Sequence, residues 1–198
     1  MAGKNAETCI VRILRDIDRL RDVDFGDNNS LRRYNAAMRR IAENVALIDE
    51  TFPNDLGLFV ELCNHPDPFV VDRCARRVFE LTNTSKEHKR TAFDAMFRRL
   101  ADPTLPNDRA FFVAKDLITW IASEFPEELD HYVALMCRAP QRVAYWCASS
   151  ILNSDFPDRE QKIQAFGKLQ ELNRDKDYPA VYKLYLPDEL AQWEKMLF

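Results

Sequence analysis

An all-α fold is what this sequence predicts, and three observations carry that expectation. Apolar residues recur at three- and four-residue spacing along most of the 198 residues, the period of a helix face and not the alternation of a strand. The ten prolines stand near the starts of the apolar segments, where a missing backbone N–H costs nothing. Only four glycines are present, which disfavours a sheet protein full of tight turns or a glycine-rich phosphate loop.

Taken in order, Cys9, Ile10, Ile13, Leu14, Ile17 and Leu20 fall on one helical face, with Arg and Asp between them. The stretch "DFGDNNS" (24–30) breaks that pattern, and Ser30 is the expected N-cap of the next helix. That helix carries Leu31, Tyr34, Met38, Ile41, Val45 and Ile48. The stripe covers less than the heptads a coiled coil needs, so it reads as a core stripe within one chain. Pro53 opens a helix over 54–64, and "NHPDP" separates it from one over 68–82. "TNTSKEHK" leads into 86–100, "ADPTLPND" into 108–123, "EFPEE" into 127–137, "RAPQ" into 140–153 and "SDFPDRE" into 158–172. "DYPA" and "LPDEL" introduce two short terminal helices. Short connections make consecutive helices antiparallel neighbours. One domain is expected over 1–198: N-terminal helices at 5–50, helix pairs at about 53–153 and capping helices at 158–197.

Within the paired region one ten-residue skeleton occurs three times. "VVDRCARRVF" (70–79), "RAFFVAKDLI" (109–118) and "VAYWCASSIL" (143–152) start 39 and then 34 residues apart. They align Cys74 with Val113 and Cys147, and Ala75 with Ala114 and Ala148; the last apolar pair is Val78-Phe79, Leu117-Ile118 and Ile151-Leu152. Helix pairs repeating at this interval mark an α-solenoid, because one pair cannot bury its apolar face alone; the alternative is an irregular helical bundle, since amphipathic helices with Ala at one position also arise without repeat ancestry. The shared Ala lets two helices approach closely.

"HPDPFVVDRCARRVFEL" resembles the second helix of a HEAT repeat, with its Asp-Pro turn, Val, Arg, Ala and closing aliphatic pair; "RAPQRVAYWCASSILNS" is a more divergent copy. In the middle copy Arg109 stands where the others have Val. The resemblance spans about 53–153. It implies antiparallel helix pairs whose second helices line a concave surface, and a role in scaffolding or recognition without catalysis. The longer stretch "RRYNAAMRRIAENV…LGLFVELCNHPDPFVVDRCARRVFEL" is similar to small bacterial HEAT-like domains, some of them immunity proteins of toxin systems. That resemblance implies an immunity or adaptor protein that blocks a protein partner, such as a toxin.

Bulk properties narrow the remaining classes. The net charge of −4 and pI near 5.5 argue against nonspecific nucleic-acid binding. The segment "MAGKNAETCIVRILRDIDRL" has its apolar residues interrupted by Arg and Asp, unlike a signal peptide, and no run has the length of a membrane span. Five scattered cysteines inside expected helices fit reduced thiols in a cytoplasm, with Cys74, Cys137 and Cys147 expected to be buried. Neither a catalytic residue, a metal nor a cofactor is expected. His65, His88 and His131 have no ligand-like neighbours, and there is no HExxH or Cys-x-x-Cys. "DFG" lacks the other kinase segments, and "DVDFGDNNS" lacks the closing Glu of a calcium loop. Glu127-Glu128 read as charges facing a helix dipole.

The candidate binding residues come from the positions where the three copies disagree. Asp72 aligns with Phe111 and Tyr145, Arg73 with Phe112 and Trp146, Arg76 with Lys115 and Ser149, and Arg77 with Asp116 and Ser150. Arg and aromatic residues on an otherwise open face are favoured interface anchors. Arg73, Arg76, Phe112, Tyr145 and Trp146 are therefore the expected partner-binding set. The competing reading packs Phe111, Phe112 and Trp146 against neighbouring helices. The second functional expectation comes from HEAT-like DNA glycosylases, which hold duplex DNA on a basic concave face. The doublets Arg32-Arg33, Arg39-Arg40, Arg76-Arg77 and Arg98-Arg99 invite that comparison and a nucleic-acid-binding or base-excision role. Ordinary helix ion pairs on a solvated face account for the same doublets.

Overall fold

Asp27, one residue before a 24-residue helix, corrects the first boundary that the sequence predicts. In the computed structural model, which describes residues 5–24, 26–179, 183–184 and 186–198, the Asp27 carboxylate accepts from the amides of Asn29 and Ser30 at 3.1 and 2.9 Å. A negative carboxylate at a helix N-terminus meets both the orphan amides and the dipole. Ser30 is left inside the helix, buried, with its hydroxyl accepting from the Asp24 amide. Phe25 of "DFG", Ala180 of "DYPA" and the first four residues of the N-terminal stretch lie outside the described residues.

The described residues form ten α-helices and three short 3-10 segments, with no strand among them. Contacts divide the chain into two compact units, Met1–Met96 and Phe97–Phe198.

In the first unit, α1 (Ala6–Asp18) packs on α2 (Asn28–Thr51) and reaches α3 (Leu56–Val60) and α4 (Pro68–Glu80). Cys9, Ile13 and Ile17 of α1 face Ile41, Val45 and Ile48 of α2 as buried stripes, while Leu31 at the start of α2 is exposed. The helix expected over 54–64 is broken into Pro53–Asp55, α3 and Glu61–Asn64, the outer two being 3-10. Short helices tighten to 3-10 at their ends, and Pro66 requires an extended His65 (ψ 140°), which stops the last turn. The α4 helix begins on Asp67, whose side chain accepts from the Phe69 amide.

The α2 C-terminus is latched by Asp49. Its buried carboxylate accepts from the Thr82 amide and hydroxyl and from the Asn83 amide, at 3.1, 2.8 and 3.0 Å. Burial pushes this carboxyl up, but the hydrogen bonds from Thr82 and Asn83 outweigh it and hold it below its ordinary value. The boundary between the units falls inside α5 (Lys86–Ala101).

The second unit contains α6 (Asn107–Glu124), α7 (Leu129–Arg138) after a 3-10 turn, α8 (Gln141–Leu152), α9 (Arg159–Arg174) and α10 (Leu186–Leu197). The α8 helix packs on α6, α7 and α9, and α9 carries α10. Ala114 and Ala148 are fully buried, as Ala75 is in the first unit. Cys74 and Cys147 are buried as expected, but Cys137 is exposed and none of the five cysteines is in a disulfide. The reason lies in the α7 stripe. Leu129, Tyr132, Val133 and Met136 take the inward positions, and the residue after Met136 turns about 100° away from them.

Candidate functional site

Phe111, Lys115 and Thr119 stand four residues apart on the outward face of α6, opposite its buried Ala110, Ala114 and Leu117. Along α8 the matching outward positions are Trp146, Ser149, Ser150 and Asn153, opposite buried Cys147, Ala148 and Ile151. The two helices run in the same direction: Trp146 meets Asn107 and Phe111 near their N-termini, and Ala114 and Ser150 share one hydrogen-bond partner further along. Between them lies an open groove of about 360 Å³, floored by Ile118 and closed at its far end by Asn153 and Ser154.

Aromatic rings make one end of the groove. Phe111 meets Trp146 edge-to-face at 4.8 Å between centroids and Phe112 at 5.1 Å. Tyr145 meets Trp146 at 4.7 Å. Such pairs contribute about 0.5–1.5 kcal/mol each beyond buried area, so the rings hold each other in place. Phe111 and Phe112 are 38% and 47% exposed and in ring contact, so they form one contiguous apolar patch. The indole N–H of Trp146 donates to Asn107 Oδ1 at 3.0 Å, fixing the ring in a half-buried pose.

A buried phenol sets the spacing of the groove walls. The Tyr132 hydroxyl donates to the Ala114 carbonyl at 2.9 Å and lies 2.8 Å from the Ser150 hydroxyl, so one α7 side chain ties α6 to α8. Burial raises its pKa well above the ordinary value, which keeps it a neutral donor. At the aromatic end, Arg142 donates to the Pro103 carbonyl and so ties the start of α8 to the segment before α6.

The five expected partner-binding residues divide between the units. Phe112 and Trp146 come together through Phe111 in the second unit. Tyr145 is adjacent to Trp146 but only 6% exposed, and its hydroxyl donates to the Glu189 carboxylate of α10 at 3.0 Å. It supports the Trp146 ring from behind. In the first unit, the Arg73 guanidinium lies over the Phe69 ring at 5.1 Å and reaches the Tyr34 hydroxyl at 3.4 Å. Arg76 lies half-buried on the same helix.

The basic doublets are largely matched by acids. Arg40 grips Asp16 with two hydrogen bonds of 2.9 and 3.0 Å, and Arg19 joins the same carboxylate at 2.8 Å. Arg33 pairs with Asp27, Arg39 with Glu43, Arg77 with Glu80 and Arg99 with Asp102. Among the described residues, by contrast, Lys115 makes no ion pair and no carboxylate lines the groove around it.

Sequence reasoning missed Asn107, Tyr132 and Asn153. Asn107 carries a faint signal, because a polar residue at a helix start opposite an indole offers an acceptor. The role of Tyr132 has none, since it depends on a neighbour 18 residues away. Among the described residues, no three His, Cys, Asp or Glu side chains converge as a metal site, and no helix is long and apolar enough to cross a membrane. A scan against protein-family models, a search of curated proteins and a search of solved structures each return no match.

Proposed function

We propose that this chain is a non-enzymatic protein-recognition module of HEAT-like helix pairs, and that it binds a protein partner on the α6–α8 face. The observation that carries the reading is the exposed ring cluster of Phe111 and Phe112, braced by a hydrogen-bonded Trp146, at the mouth of a preformed groove. A ring held in position before binding loses little freedom on contact, and interface hot spots are built this way. The parallel course of α6 and α8, the second helices of two sequence copies, supports a solenoid-type stack. Arg73 and Arg76 form a second contact region in this reading, with the stacked guanidinium of Arg73 presenting a planar, always charged donor. Tyr145 serves as the brace of Trp146. The partner class follows the sequence resemblance: an immunity or adaptor protein of a reducing cytoplasm, acting on a toxin-like protein. The acid partners of the arginine doublets weigh against the nucleic-acid reading, because a neutralised guanidinium releases fewer counterions on binding phosphate.

A photo-crosslinking residue placed at Phe112 in the full chain tests this. It should capture a distinct protein that also binds the purified chain in solution, and Phe112→Ala should weaken that complex by about 2 kcal/mol or more. Titration with duplex DNA at about 50 and about 200 mM salt is the counter-test. Binding to DNA that falls steeply with salt, with no protein captured, would replace this reading by the nucleic-acid one.

A further inference from the structure

The recognition reading leaves the partner's chemistry open, and the groove constrains it. We propose that the α6–α8 groove receives an acidic amphipathic helix of the partner protein. One aromatic or long aliphatic side chain of that helix enters beside Phe111 and Trp146, and a carboxylate one turn away meets the Lys115 ammonium. The proposal rests on the recognition reading and assigns the chemical class of the bound segment.

Charge complementarity is the first argument. Lys115 is exposed; among the described residues it makes no ion pair and no carboxylate lines its groove, although the whole chain carries a net charge of −4. A groove of one sign on a chain of the other sign selects its partner by charge. Hydrogen-bond polarity points the same way. The Thr119 and Ser150 hydroxyls already donate inward, to the carbonyls of Lys115 and Cys147. The Ser149 and Ser154 hydroxyls accept hydrogen bonds, from the Asn153 side chain and the Phe156 amide, and donate none among the described residues. Their protons, with those of Lys115, leave the groove rich in donors, which suits an acceptor-rich, anionic segment.

Geometry chooses a helix over an extended strand. Both walls are helices whose backbone groups are bonded internally, so they offer no ladder to an extended chain. A helix satisfies its own backbone and needs only side-chain contacts. Phe111 and Lys115 are four residues apart, or about 6 Å along α6. That spacing matches an apolar anchor and a carboxylate at positions i and i+4 of a partner helix.

Three fluorescein-labelled, Ala-rich synthetic peptides of about 20 residues, beyond the length at which isolated helices are marginal, test the proposal by anisotropy against the full chain. The first has Phe and Glu at i and i+4, the second has Lys for that Glu, and the third has Ala for that Phe. The Glu peptide should bind at least about tenfold more tightly than either twin, and more weakly as salt rises. Lys115→Glu should reverse the preference for Glu over Lys; the residue is exposed, so a melt should confirm an intact fold. Equal binding of the Glu and Lys peptides, or a Lys115→Glu variant that binds as the parent does, overturns the assignment. So does failure of every peptide to bind. If a partner still crosslinks to Phe112 in that case, the recognition face stands and only the acidic-helix assignment falls. If neither occurs, both fall.

Discussion

Trp146 shows how much of a side chain can be committed to its own fold before any partner arrives. Its N–H is bonded to Asn107 and its ring is flanked by Phe111 and Tyr145. Trp146→Ala should therefore lower both the melting temperature and partner affinity, whereas Phe112→Ala, at a 47% exposed position, should lower affinity with only the small stability loss of its Phe111 ring contact. Denaturation curves run beside binding titrations on both variants check this pair, and a large stability loss at Phe112 would contradict it. Native-state alkylation followed by mass measurement addresses the cysteines. Cys137 should react first, while Cys74 and Cys147 wait for unfolding, since burial pushes both thiols up, that of Cys147 to about 12. The aromatic content of the face was legible in the sequence, but its exposure pattern was not. Phe111 and Tyr145 occupy the same aligned position, yet one is exposed and the other buried. Glu189 of α10 makes the difference, and a contact 44 residues away leaves no local trace.

At the scale of elements, the three aligned alanines are fully buried and Asp49 latches the C-terminus of α2. Ala114→Leu and Ala148→Leu, both at fully buried positions, should each cost about 1–3 kcal/mol by overpacking; unchanged melts in both would remove the close-approach role of the alanines. Asp49→Ala leaves the Thr82 and Asn83 amides without their acceptor and should cost about 1–3 kcal/mol, measured by urea unfolding. Two of the helices that carry the aligned stretches were read from sequence almost to the residue: 68–82 became Pro68–Glu80, and 140–153 became Gln141–Leu152. Proline, Asp caps and the 3.6-residue period are local signals, and they suffice there. The expected helix over 54–64 failed because periodicity does not distinguish an α turn from a 3-10 turn. The α2 start failed because Asp27 and Ser30 both have capping chemistry, and the choice between them is made by where the chain turns.

For the whole molecule, acid is the informative variable. Asp16, Asp49, Asp67 and Asp102 are all held below the ordinary carboxylate value of 3.8. At Asp16 burial acts upward and is outweighed by Arg40 and Arg19; at Asp67 the Arg21 hydrogen bond leads; at Asp102 the Thr104 hydrogen bonds lead. A carboxyl depressed in the folded state stabilises it fully above its unfolded pKa and loses that contribution as pH falls through the folded value. The melting temperature should therefore be nearly flat from neutral pH down to about 5 and drop below about 4. A melt that held steady to pH 2 would show that these contacts contribute little. The all-α class was legible because it rests on a period present in every segment. The two compact units were not, since the contacts that define them join residues far apart in the chain.

The Tyr132 tie has a consequence for how this protein changes over generations. It fixes the width between α6 and α8 from beneath, through a side chain that a ligand in the groove need not touch. Substitutions at the exposed Lys115 or Thr119 then alter the lips of the gap without touching that tie. Exposed positions such as Lys115 and Thr119 can therefore vary between generations while the spacing that Tyr132 sets is inherited unchanged.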